Sequence, residues 1–159
     1  MAETSNITKR IFSKTILQKR AARILAVQCL YSIVSDDTES KSIDEKVNDI
    51  INVYSNELSE SKFSKADQSA LIKLVRFTSQ NKLEFENKIS EHLAKNWKFN
   101  RLPKVVSCIL TCAVAELFLD KNLDREIIIN DYLEIAKIFN HEGEVGFINS
   151  ILDKVSIAR

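Results

Sequence analysis

Two glycines and one proline are all that this chain of 159 residues contains. Tight hairpins and phosphate-cradling loops need glycine where the backbone turns left-handed or approaches a ligand closely. A sheet built from several hairpins and a Gly-rich nucleotide loop are therefore both excluded, and the class is all-α. Cysteine is also scarce: Cys29, Cys108 and Cys112 are an odd set, each inside an apolar helical pattern. They read as buried thiols of a reducing compartment rather than a disulfide framework. Cys108 and Cys112 stand one helical turn apart, but neither His92 nor His141 has ligand spacing to them, so no metal and no cofactor is expected. No apolar run approaches the roughly 20 residues of a membrane span, and the N-terminus lacks the apolar region of a signal peptide. These absences point to a cytoplasmic protein that does not enter membranes.

What is present is an ordinary globular composition, 45% apolar and 28% charged, in a length that suits one domain or two small helical subdomains. The organising stretch is Lys19 to Val34, KRAARILAVQCLYSIV. On a helix at about 100° per residue, Ala22, Leu25, Ala26, Cys29, Leu30 and Ile33 fall on one stripe, which must face a core. The opposite side carries Arg20, Arg23, Ile24, Val27 and Tyr31. A helix with such a second face is either buried on both sides or offers the outer one to an anionic ligand.

Local signals place the remaining helices. Ser42 and Glu45 have capping-box spacing ahead of Val47, Ile50, Ile51, Tyr54 and Leu58, one amphipathic face. Ser64 and Asp67 repeat the arrangement before Leu71, Leu74, Val75 and Thr78. The register then shifts to Phe85, Ile89 and Leu93, which predicts a break or bend near Asn81. Pro103 fits the first turn of the next helix, where its missing N–H costs nothing. Val105 to Leu119 is apolar on nearly every side and belongs in the middle of a bundle. Asp124 caps a helix running to Phe139, Asn140 is a left-handed stop, and Phe147, Ile148, Ile151, Leu152 and Val155 mark the last helix. About seven helices joined by short loops make a compact all-α bundle. Residues 1–14 are expected to form a mobile basic arm, and 15–159 a single all-helical domain.

The formal net charge of +1 hides an asymmetry, because Lys9, Arg10, Lys14, Lys19, Arg20 and Arg23 face only Glu3 ahead of Ile24. A basic arm without a long apolar surface behind it suits nucleic acid better than a lipid surface. Candidates for catalysis are thin. His141, Glu142 and Glu144 share one inter-helix connection, while Glu116 and Glu134 lie in apolar helices where pairing with Lys or Arg is the default role. Nucleophile elbow, phosphate loop and dinucleotide fingerprint are all missing, so no enzyme activity is expected.

Three stretches taken together resemble the NusB family of bacterial transcription antitermination proteins. They are ARILAVQCLYSI from Ala22 to Ile33; Trp97, Arg101 and Leu102 followed by an apolar helix ending Ala115, Glu116, Leu117; and IINDYLEIAKIFN with GFINSILDKV, Ile128 to Asn140 and Gly146 to Val155. Order and spacing agree over about Leu17 to Val155. The resemblance implies an all-helical protein of two small bundles without catalytic activity, which binds boxA-type RNA of ribosomal RNA transcripts together with NusE, a small-subunit ribosomal protein. The complex acts on RNA polymerase so that it resists termination. The family's basic run maps onto Lys19, Arg20 and Arg23, its Leu-Tyr pair onto Leu30 and Tyr31, and its RNA-proximal phenylalanine onto Phe147.

The chain departs from the family at Ala21, where a further arginine is frequent, which passes part of the RNA role to Lys9, Arg10 and Lys14. Val106, Ser107 and Thr111 replace common acid and arginine residues, and Gly143 a frequent aspartate; these bear on partner contacts rather than on the fold. Residue chemistry reaches the same function separately, since single-stranded RNA is held by cations along its phosphates and flat groups under its bases. Arg20, Arg23 and Tyr31 offer both from one helical face. Two alternatives stay open: Tyr31 as a half-buried core residue with a wet hydroxyl, and Phe147 as a packing residue. A related fold forms the N-terminal domain of a ribosomal RNA cytosine methyltransferase, so a detached RNA-binding module of that kind is the competing expectation.

Overall fold

Helix-forming segments dominate because the chain offers apolar residues at helical spacing and almost no turn residues between them. The computed structural model describes residues 18–36, 40–56 and 65–159. Among these are seven α-helices, two short 3-10 turns and no strand. The helices are α1 (Gln18–Ser35), α2 (Ile43–Val53), α3 (Lys65–Gln80), α4 (Lys82–Ser90), α5 (Lys104–Leu119), α6 (Arg125–Ile138) and α7 (Val145–Ser156). Contacts divide the chain into two units, Met1–Val75 and Arg76–Arg159. Lys9, Arg10, Lys14, Leu58 and the Ser64 cap lie outside the described residues.

In the first unit α1 buries its expected stripe: Ala22, Leu25, Ala26, Cys29 and Leu30 are buried, with Ile33 half-buried at the end. The capping box at α2 is formed. Glu45 N–H donates to Ser42 Oγ at 3.2 Å and Ser42 N–H to Glu45 Oε2 at 3.0 Å, satisfying two helix-terminal donors. α2 packs on α1 around buried Val47. Two polar links reinforce the pair. Gln28 Nε2 donates to the Tyr54 hydroxyl at 3.2 Å, and Lys46, nearly buried, places Nζ 3.2 Å from Asp36 Oδ2 just past the end of α1.

In the second unit α5 is the central element. It packs against α4, α6 and α7, and that is why a helix apolar on every side is stable there. Each large aliphatic side chain fully buried around it contributes about 1.5–3 kcal/mol. Pro103 sits immediately before α5 rather than in its first turn, and its carbonyl accepts the Ser107 N–H at 3.0 Å. The bend near Asn81 is present. Asn81 interrupts the helical run with φ −116° and ψ 18°, while its Nδ2 donates to Phe77 carbonyl oxygen at 2.9 Å. Beyond it the Phe85 ring lies 5.5 Å from Phe77 and 6.2 Å from Phe118, so the change of register brings α4 onto α5.

α6 starts on Asp124, whose Oδ1 accepts the Glu126 N–H at 2.8 Å. It ends at Asn140, φ 63°, the left-handed position asparagine tolerates. Asn140 N–H donates to Lys137 at 3.0 Å and His141 N–H to Ala136 at 2.8 Å, the paired bonds that close a helix C-terminus. All three cysteines are free and buried.

Candidate nucleic-acid interface

Along α1, Arg20 and Tyr31 are eleven residues apart, three turns, so they share a face at a separation of about 16 Å along the axis. Lys19 is exposed, Arg20 half-buried, and Tyr31 42% exposed. The rest of that face is covered: Ile24 and Val27 are buried, and Arg23 is only 5% exposed. Of the two outcomes open to a helix with a second apolar face, burial on both sides is the one realised over the middle of α1. The surface left open is its two ends, with Lys19 and Arg20 at one and Tyr31 at the other. Arg23 is therefore withdrawn from the surface on which Lys19 and Arg20 stand.

Phe147 belongs to the second unit. It lies near the start of α7, 36% exposed, where its turn-mates Ile148 and Ile151 point into the core. It forms one wall of a groove of about 480 Å³ shared with Trp97, Leu102, Pro103, Val106 and Ile151. Trp97, 55% exposed, stands on the connection between α4 and α5. Sequence periodicity could not find this groove, because its walls come from three segments. A usable signal was nonetheless present: KNWKFNRLPK, residues 95–104, places four cations and no acid around the chain's single tryptophan.

Several acidic groups singled out by the sequence have structural partners. His141 Nδ1 is 3.3 Å from Glu144 Oε2 across the 3-10 turn Glu142–Glu144, and Glu144 also lines the groove. Glu134 is exposed and paired with Lys137 at 2.9 Å, as a helical carboxylate usually is. Glu116 is buried, and the Tyr132 hydroxyl donates to its Oε1 at 2.9 Å. Burial pushes the Cys29 thiol up to about 12. Cys108 rises to about 11 through the same desolvation, partly offset by Lys82 and Lys104. No group of three His, Cys, Asp or Glu residues is placed to hold a metal among the described residues, nor is any described helix long and apolar enough to cross a membrane.

Known proteins of the same kind support the helical assignment and extend it. The model of the NusB family matches residues 20–156. A transcription antitermination protein NusB of Rickettsia bellii is 31% identical over 152 residues, covering 91% of this chain and 93% of its own. One from Caulobacter vibrioides is 28% identical, covering 89% and 93%. Among solved structures, NusB of T. maritima superposes with a TM-score of 0.73 at 23% identity, covering 87% of this chain and 89% of that one. A crystal structure of antitermination factors NusB and NusE with double-stranded RNA gives the same score, 0.73, at 22% identity, covering 89% and 98%. With the family model spanning all but the two ends of the chain, this protein belongs to the NusB family.

Proposed function

We propose that this protein is a non-enzymatic, cytoplasmic transcription antitermination factor. It binds boxA-type single-stranded RNA of ribosomal RNA transcripts jointly with NusE and acts within an antitermination complex on RNA polymerase. The observation that carries this reading is the match over nearly full length to antitermination proteins, 91% of this chain against 93% of the Rickettsia protein. The likeness to a NusB assembled with NusE and RNA agrees with it.

In this reading Lys9, Arg10, Lys14, Lys19 and Arg20 track phosphates, while Tyr31 and Phe147 offer rings to bases. Arg23, buried in α1, supports the helix that presents them. The two arginines should therefore separate experimentally. Arg20→Ala should weaken RNA binding and flatten its salt dependence by about 0.7 log unit per log salt, the loss of one phosphate contact on a single strand. Arg23→Ala should lower thermal stability and leave the salt slope of the folded fraction unchanged.

The test is a fluorescence-anisotropy titration of labelled boxA-type RNA and a scrambled control, at two salt concentrations, with and without NusE. Preference for boxA that sharpens with NusE is expected. Equal binding to both RNAs, indifferent to NusE, would remove the antitermination reading.

A further inference from the structure

We propose that the groove lined by Trp97, Leu102 and Val106 is a docking site for a protein partner, which presents one large apolar side chain flanked by aspartates and glutamates. The proposal is independent of the RNA-binding reading above and stands on the chemistry of the groove and its rim. The groove's volume, about 480 Å³, lies in the range of roughly 300–1,000 Å³ typical of sites that enclose small organic groups. Leu102, Val106 and Ile151 line it and are themselves buried, while Trp97 stands 55% exposed beside them. A tryptophan beside an apolar cleft is the pattern of an interface anchor point, where a partner's side chain displaces water from both.

Charge complementarity sets the rest of the partner's chemistry. Ala94, Trp97 and Leu102 line the groove, and each has a cation as its chain neighbour: Lys95, Lys98 and Arg101. All three are exposed and form no ion pair among the described residues, and residues 95–101 contain no acid. Lys104 has a partner of its own and takes no part. Three cations spread along seven residues are answered by a chain that carries several carboxylates, not by a single anionic headgroup or a neutral anchor. The buried floor separates a peptide from a nucleic acid. A base seated there would bring ring nitrogens and exocyclic groups that need partners, and Leu102, Val106 and Ile151 offer none. An aliphatic or phenyl side chain needs none. Glu144 is an acid on the groove wall, against His141 at 3.3 Å, and repulsion from that side directs the partner's acids toward residues 95–101.

Trp97 is the only tryptophan, so its emission reports this groove alone. The full chain is titrated with a short synthetic peptide holding one phenylalanine between aspartates and glutamates, labelled with fluorescein for anisotropy and unlabelled while Trp97 emission is read. Saturable binding with a blue shift of that emission is expected. Serine in place of the peptide's phenylalanine should weaken binding roughly 10- to 150-fold, the loss of one buried apolar side chain. Lys98→Ala combined with Arg101→Ala, both at exposed positions, should weaken it roughly 2- to 30-fold. Lys98→Glu combined with Arg101→Glu should lose the acidic peptide and gain one whose acids are replaced by lysines. A peptide with neutral flanks that binds as tightly as the acidic one would overturn the proposal, as would acidic-peptide binding that leaves Trp97 emission and both charge variants unaffected. A boxA-type single-stranded RNA that shifts Trp97 emission where the acidic peptide does not would give the groove to RNA and overturn it as well. Absence of peptide binding would overturn this proposal alone, since the boxA titration described above is read separately.

Discussion

Replacing Tyr132 by phenylalanine tests the packing of the second unit at one atom. The ring is fully buried and stays, so no cavity opens; only the hydroxyl that donates to Glu116 Oε1 at 2.9 Å is removed. Hydrogen bonds to a carboxylate contribute about 1.5–3 kcal/mol, and Glu116, which accepts this one on α5, is only 8% exposed. For a chain of this length each kcal/mol moves Tm by roughly 2–4 °C, so a drop of roughly 3–12 °C is expected. Urea unfolding at pH 7, followed by Trp97 emission, reads the same unit, and far-UV circular dichroism reads the whole chain. Glu116→Gln and the double variant complete a cycle whose coupling should exceed about 0.5 kcal/mol. A Tyr132→Phe protein within about 0.5 kcal/mol of the parent, with no coupling, would refute the assignment of this bond as an interior tie between α5 and α6.

The buried thiols predict an alkaline loss of stability. Cys29 and Cys108 hold their protons to about 12 and about 11 when folded but release them near 9.0 when unfolded, so stability is complete below pH 9 and falls between pH 9 and 11. The slope is about 1.4 kcal/mol per pH unit for each thiol, and Cys29→Ala should flatten its share when urea midpoints are compared across that range. At pH 8 an aromatic disulfide reagent should find no reactive thiol in the native protein and three after denaturation, matching three buried cysteines. In the first unit, Ser42→Ala removes one arm of the capping box and should destabilise α2 by about 1 kcal/mol, seen as faster amide exchange along α2 with α5 and α6 unaffected.

Three helix ends were decided by the sequence itself. Ser42 with Glu45, Asp124 ahead of Arg125 and Asn140 after Phe139 act through bonds that span two to four residues, and the structure forms each of them. The middle position of α5 was equally legible, since a helix without a polar face has nowhere else to go. Periodicity assigns residues to faces, but whether a face is covered depends on segments distant in the chain. Only the tertiary structure could show that Arg23, Ile24 and Val27 are buried while Tyr31 stays exposed on the same helix. Only packing could give Glu116 a hydroxyl from 16 residues away, and bring Trp97, Val106 and Phe147 to one groove from three segments. Helix caps are local chemistry; burial and site geometry depend on contacts between parts of the chain that no short pattern connects.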